Sequence, residues 1–194
     1  GWGWYVLLFF IIAGAANGVN LTDGLDGLAA GTTIIALATF TAMAVTIYIR
    51  SSTPQHGRIE NRLDAAFIGA ALIGAAVGFL WFNAFPAEVF MGDTGSLALG
   101  GAMAAMAIML KVEVLLLFVG GIFAINAISV ILQVLSFKWW GRRIFLIAPL
   151  QHHFEMKAWS ETKIMVRFWI VTAIFCAAGF ALFYKYYLPF RAHS

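Results

Sequence analysis

Residues 27–49 read GLAAGTTIIALATFTAMAVTIYI, a stretch of 23 positions with no Asp, Glu, Lys or Arg. A helix of that length rises about 35 Å, enough to cross a hydrocarbon layer about 30 Å thick. Five more runs lack charge in the same way: 1–22, 65–87, 94–110, 114–137 and 168–184. A backbone in lipid must satisfy its own hydrogen bonds, which leaves helices or a closed barrel. Barrel strands would alternate polar and apolar residues in short segments, and these runs do not. The expected fold is therefore all-α, a polytopic membrane protein with about six transmembrane helices, at about 2–19, 28–49, 65–83, 94–110, 114–136 and 167–187. These form one membrane domain, 1–194, with polar loops at 20–27, 84–93 and 137–166.

Composition excludes the other classes. Of 194 residues, 62% are hydrophobic and 11% charged, and mean hydropathy is +0.90, outside the range of soluble domains. The single cysteine, Cys176, permits no intrachain disulfide and reads as helix filler. No basic stretch precedes the first apolar run, so a signal peptide is a poor reading of it. The chain opens on Gly1 in place of Met, which suggests a fragment whose first helix is cut near its start. Formal net charge is only +3, and the largest group of cations sits in one loop and not along an extended basic face, so nucleic acid is not an expected partner.

Six helices with short connections put 17–27, 83–96 and 137–167 on one face, and 50–64, 111–113 and 185–194 on the other. The first face carries Asp23, Asp26, Asn83, Glu88, Asp93, His152 and His153. Lys and Arg divide equally between the faces: Lys138, Arg142, Arg143, Lys157, Lys163 and Arg167 against Arg50, Arg58, Arg62, Lys111, Lys185 and Arg191. The positive-inside rule therefore gives no orientation. Gly74 and Gly78, the Gly100–Gly101 pair and the Gly120–Gly121 pair read as small-residue helix contacts.

Three polar segments can carry chemistry. In NGVNLTDGLDG, residues 17–27, Asp23 and Asp26 are each followed by glycine and would share one face of a helical turn. Asn20 or Asp23 can equally serve as a helix cap. In the second, Asn83 to Ser96, Pro86 stops one helix and Gly92-Asp93-Thr94-Gly95-Ser96 opens the next. Asp93 is either a cap or a ligand for a hard cation, with N–H groups and hydroxyls meeting phosphate oxygens. Phe90 is either an interface anchor or a stacking surface. The third, Lys138 to Arg167, holds PLQHHFE among cations. Adjacent histidines make a poor metal pair; they suit charge-assisted contact with phosphate, or the loop simply touches acidic headgroups. Together the segments outline a site for a polyphosphate, where positioning and charge neutralisation are the main requirements.

Four stretches resemble the polyprenyl-phosphate N-acetylhexosamine-1-phosphate transferase family: NGVNLTDGLDGLA, GFLWFNAFPAEVFMGDTGSLALGG, RRIFLIAPLQHHFE and WSETKIMVRFW. They lie in family order and reach to about residue 170. Within the family, the HHFE-x-K loop favours the muramoyl branch. The resemblance implies Mg²⁺-dependent transfer of phospho-MurNAc-pentapeptide from UDP-MurNAc-pentapeptide to undecaprenyl phosphate, giving lipid I and UMP for peptidoglycan synthesis. It places the three loops on the cytoplasmic side of a bacterial plasma membrane, and it suggests a homodimer and nucleoside inhibitors as ligands.

By motif position, Asp93 is the implied Mg²⁺ ligand, and Asp23 with Asn20 forms the catalytic floor. Leu25, Asp26, Asn83 and Phe90 are the implied uridine set. Gln133, His152 and His153 are implied to meet the sugar-phosphate or nucleoside inhibitors. Asp23, Asp93, Asn20, His152 and His153 are thus expected as the catalytic group. Gly92, Ser96, Gln133 and Gln151 join the uridine set as substrate-binding residues. Two features depart from the family: the ten-span fold carries an Asp-Asp pair upstream that this sequence lacks, and Gln151 replaces the first of three histidines. Glutamine donates a hydrogen bond but carries no charge. The expectation is a C-terminal portion, incomplete alone. The competing readings are a phospho-GlcNAc transferase, an ion or proton transporter with ionisable residues along its path, and an inactive scaffold.

Overall fold

The computed structural model describes residues 1–50 and 60–188. Among these every element is helical: α1 Trp2–Thr22, α2 Leu28–Arg50, α3 Glu60–Asn83, α4 Gly92–Leu110, α5 Glu113–Val119, α6 Gly121–Trp140, α7 Leu150–Glu155 and α8 Glu161–Leu182. The last turn after α8, Phe183–Tyr187, is wound as a π-helix. Six helices are long and apolar enough to cross a membrane, and the chain is a multi-pass membrane protein. Arg58 and Arg191, counted above for the opposite face, lie outside the described residues.

α2 is the hub. It packs against α3, α8 and α4, while α1 packs against α4 and α6, and α5 against α8. The interior is apolar, with Leu28, Leu37, Phe40, Met43, Met103, Met106, Leu110 and Ile164 almost wholly buried. The outside is equally apolar, with Phe9, Phe10, Trp81 and Ile174 exposed. Lipid solvates those residues as well as a core would, so helix association rests on close packing and not on apolar burial. Small residues supply it. A Cβ on Gly100 would lie 2.5 Å from the Ala15 carbonyl oxygen, and one on Gly31 2.2 Å from the Trp169 ring. Gly121 seats Phe175 in the same way. The G-x-x-x-G of α3 does not behave so: Gly74 and Gly78 meet nothing within 4 Å, nor does Gly101.

The fifth charge-free run differs from the single helix expected at 114–136. It is broken at Gly120 into α5 and α6. Gly18 on α1 faces Phe123, and Asn126 Nδ2 donates to Thr22 Oγ1 at 2.8 Å, so α6 rises alongside the last turns of α1. Thr22 is the last residue of α1. Beyond Asn126 α6 continues for about 21 Å of helix. That projecting half carries exposed Ile128, Ile131, Leu132, Val134 and Phe137. Nothing in composition marks the break, because glycines in an apolar run change neither charge nor hydropathy enough to end it. The loop expected at 137–166 is likewise shorter than expected, since α6 continues to Trp140, and α7 lies within it.

Candidate active site

The ends of α1 and α3 and the start of α4 meet on one face around a cavity of about 290 Å³, lined by Asn20, Asp23, Gly24, Leu25, Asp26, Asn83, Phe90, Met91, Gly92 and Asp93. Asp23 ends α1 as its C-cap, with its backbone N–H bonded to Val19 and Asn20 carbonyls. Residues 23–27 form a turn and not a continuing helix, so Asp23 and Asp26 converge through the turn and not through helical spacing. Gly92 adopts φ +66°, a left-handed conformation that costs glycine least, and this sends the chain into α4 with Asp93 in its first turn.

The capping readings hold only for Asp23: Met91, at the N-cap position of α4, makes no side-chain bond, and the Gly92 N–H is met from the end of α1 by the Asp23 carboxyl. Asp26 instead reaches across to the α3–α4 loop, where Oδ2 accepts the Ala87 N–H at 2.9 Å. Asp93 sits where a helix dipole favours an anion. Its Oδ1 accepts from Asn20 Nδ2 at 2.8 Å, and the same nitrogen lies 2.9 Å from Ser96 Oγ. Asn20 thereby ties the end of α1 to the start of α4 and fixes the Asp93 carboxylate, whose other oxygen is open to a ligand.

Asp23 is electrostatically the most strained. Burial pushes its carboxyl up to about 6; the Gly92 N–H opposes this, and the negative charges of Asp93 and Asp26 add to it. Three carboxylates around one cavity, with no Lys, Arg or His in its lining, leave a net negative charge that a cation would relieve. Among the described residues no three Asp, Glu, His or Cys side chains form a metal cage. Mg²⁺ does not need one, since it commonly keeps waters and takes one or two carboxylates together with substrate phosphates. Asp93 with Asp23 fits that pattern.

Several expected binding residues are placed but engaged elsewhere. Asn83 is buried and lines the cavity, yet its Oδ1 accepts the Gly27 N–H at 3.1 Å and its Nδ2 donates to the Val89 carbonyl at 2.8 Å. It braces the turn against the α3–α4 loop. Ser96 is fully buried beneath Asp93, and its hydroxyl bonds the Gly92 carbonyl at 2.9 Å. Leu25 forms a buried apolar wall, and Phe90, 73% exposed, is free to stack on a flat ring.

Gln133 stands apart from the cavity, on the projecting half of α6. Its Oε1 accepts the Ile144 and Phe145 N–H groups at 3.0 and 2.9 Å, and its Nε2 donates to the Phe145 carbonyl at 3.0 Å. Three of the amide's four hydrogen-bonding positions are spent on strapping 144–145 to α6. Gln151 is fully buried; its Nε2 donates to the Leu21 carbonyl at 2.7 Å, which docks α7 on the end of α1. The two histidines separate. His152 lies against Gly24 in the cavity wall. His153 Nδ1 accepts the Leu146 N–H at 3.1 Å, with its ring between Phe145 and Phe154. The sequence reading missed Met91, Gly24 as a cavity residue, and Glu155, which bonds His152. The His152-x-x-Glu155 spacing on a helix was the available signal for Glu155; Met91 had none.

Residues 1–111, which include the whole cavity lining, match the family model described as Glycosyl transferase family 4. The chain belongs to glycosyl transferase family 4. Its family relatives include the phospho-N-acetylmuramoyl-pentapeptide-transferase of Rubrobacter xylanophilus, 52% identical over 179 residues, which covers 92% of this chain and 50% of the relative. The proteins of the same name from Thermobifida fusca and Bacillus subtilis are 46% and 47% identical, covering 97% and 92% of this chain and 55% and 51% of theirs. The chain thus spans about half the length of the curated relatives it matches.

Proposed function

We propose that this chain carries the carboxylate half of a phospho-N-acetylmuramoyl-pentapeptide transferase site on the cytoplasmic face of a bacterial plasma membrane. In this reading UDP-MurNAc-pentapeptide donates phospho-MurNAc-pentapeptide to undecaprenyl phosphate, which gives lipid I and UMP. The observation that carries it is the convergence of Asp23, Asp26 and Asp93, with Asn20 and an exposed Phe90, on one cavity, in a chain about half identical to proteins of that name.

An oxygen of the lipid phosphate bonds to the sugar-bearing phosphorus, the bridging P–O bond breaks, and the bridging oxygen leaves with UMP. Such a reaction asks the protein for alignment and charge neutralisation. Phe90 offers a face for the uracil ring beside the Leu25 wall. Asn20 keeps Asp93 fixed, and Asp23, pushed up to about 6 by burial, is ionised through most of the physiological range. Mg²⁺ held by Asp93 with Asp23 supplies neutralisation of the pyrophosphate charge when bound.

The test is UMP release by the complete protein in undecaprenyl-phosphate vesicles, with UDP-MurNAc-pentapeptide or UDP-GlcNAc as donor. Lipid I formation that stops on removal of Mg²⁺ supports the proposal. Turnover of UDP-GlcNAc alone contradicts it and favours the sibling transferase; proton or ion flux without UMP release favours a transporter.

A further inference from the structure

The cavity lining holds three carboxylates and no cationic side chain. Of the side chains that a Cβ on wall residue Gly24 would meet, only His152 can carry positive charge. Its Nε2 is 2.6 Å from that position and its Cε1 3.1 Å, with Gln151 Nε2 at 3.0 Å. The absence of a side chain at Gly24 is therefore what seats the imidazole. The other ring nitrogen is also held. His152 Nδ1 lies 2.8 Å from Glu155 Oε2, i,i+3 on α7, the one ion-pair contact among the described residues. An ionised carboxylate only accepts, so the proton on this edge belongs to Nδ1. Nε2, at the wall, then carries the lone pair in the neutral ring and a donor in the charged ring.

The neighbouring histidine is fixed the opposite way. His153 Nδ1 accepts a backbone N–H, so its neutral form carries hydrogen on Nε2. Two adjacent, chemically identical side chains are thus locked as different tautomers, and only His152 touches the cavity wall.

We propose that Glu155 is a positioning residue: by accepting from Nδ1 it clamps His152 in its Gly24 seat and presents Nε2 to the pyrophosphate of the donor. The identity of that ligand rests on the transferase reading, whereas the clamp does not. The test uses the complete protein with 15N-labelled histidine, the His152 signals being assigned with His152→Gln. At a pH where the ring is neutral, His152 is expected as the Nδ1–H tautomer, and Glu155→Ala moves a large share of the population to Nε2–H. Glu155→Gln keeps an acceptor and retains the native tautomer. An unchanged tautomer in Glu155→Ala overturns the proposal.

The steric seat gives a second, independent measurement. Gly24→Ala places a methyl on an imidazole that cannot retreat while Glu155 holds it. Its effect on donor KM is expected to be about tenfold in the native background and within about threefold in Glu155→Ala, where the ring is free to swing away. Glu155→Ala alone is expected to act mainly on donor KM, with kcat changed less. Additive effects in the double variant overturn the clamp. The tautomer as predicted, in a protein that releases no UMP from any donor, would leave the clamp standing and refute the transferase reading.

Discussion

Gln133 gives the sharpest contrast between family expectation and structure. Resemblance assigns it to the sugar-phosphate, whereas here it holds three backbone groups of Ile144 and Phe145 at 2.9 to 3.0 Å. Gln133→Ala removes all three bonds. Each such bond contributes roughly 1 kcal/mol net, so the strap loses about 3 kcal/mol, and local opening of 144–145 grows about 150-fold. Gln133→Glu keeps the acceptor for both N–H groups but sets a carboxylate oxygen against the Phe145 carbonyl, and is expected to fall between. Hydrogen exchange of a peptide covering residues 141–149, in the complete protein, reads this directly. Exchange at Ile144 and Phe145 within about threefold of the native rate in Gln133→Ala would refute the strap. A large rise in donor KM with no change in exchange would restore Gln133 to the substrate.

Further outcomes follow from packing and charge. Gly100→Ala places a Cβ against α1 backbone, 2.5 Å from the Ala15 carbonyl oxygen and 2.6 Å from Ala16 Cα. Backbone cannot step aside as a side-chain tip can, so a loss of about 1–3 kcal/mol is expected, visible as a lower Tm. Gly74→Ala, inside α3 with nothing within 4 Å of the added Cβ, should cost nothing and raise stability by up to about 1 kcal/mol through helix preference. Asp23 sets a pH dependence. Its carboxyl, pushed up to about 6 by burial, favours the neutral form in the folded state. Its contribution to stability is therefore present at low pH and lost as pH rises from the ordinary carboxylate range through about 6. Activity runs the opposite way, falling as pH drops through about 6 where Asp23 takes up its proton. Raising Mg²⁺ should move this acid limb to lower pH, because a cation favours the ionised carboxylate. A limb unmoved by Mg²⁺, or retained in Asp23→Asn, would show that another group sets it.

The fold was largely legible because charge is so costly in hydrocarbon that its absence marks the spans. The break at Gly120 was not, since two glycines in an apolar run look the same in a straight helix and in a broken one. Nor was the projection of α6 past α1, which depends on the pairing of Thr22 with Asn126. At the site, Asn20, Asp23, Asp26 and Asp93 stood out as polar residues at span ends. Their partners did not. Whether an aspartate caps its own helix or reaches the Ala87 N–H is decided by where a loop 61 residues away returns. Asn83, Ser96 and Gln133 are amides and a hydroxyl that suit substrate or backbone equally well, and in each the backbone claimed hydrogen bonds. Gln151 reads as a weakened histidine, yet it is buried and docks α7 on α1.

The central claim is that Asp93, fixed by Asn20 at the start of α4, is the metal-dependent centre of phospho-sugar transfer. The most direct test is lipid I formation by the complete protein carrying Asp93→Asn, across a titration of Mg²⁺. Asparagine preserves shape and loses the charge, so the account predicts a fall in turnover of at least about 100-fold that added Mg²⁺ does not restore. Turnover close to the native rate, with unchanged Mg²⁺ dependence, would contradict it.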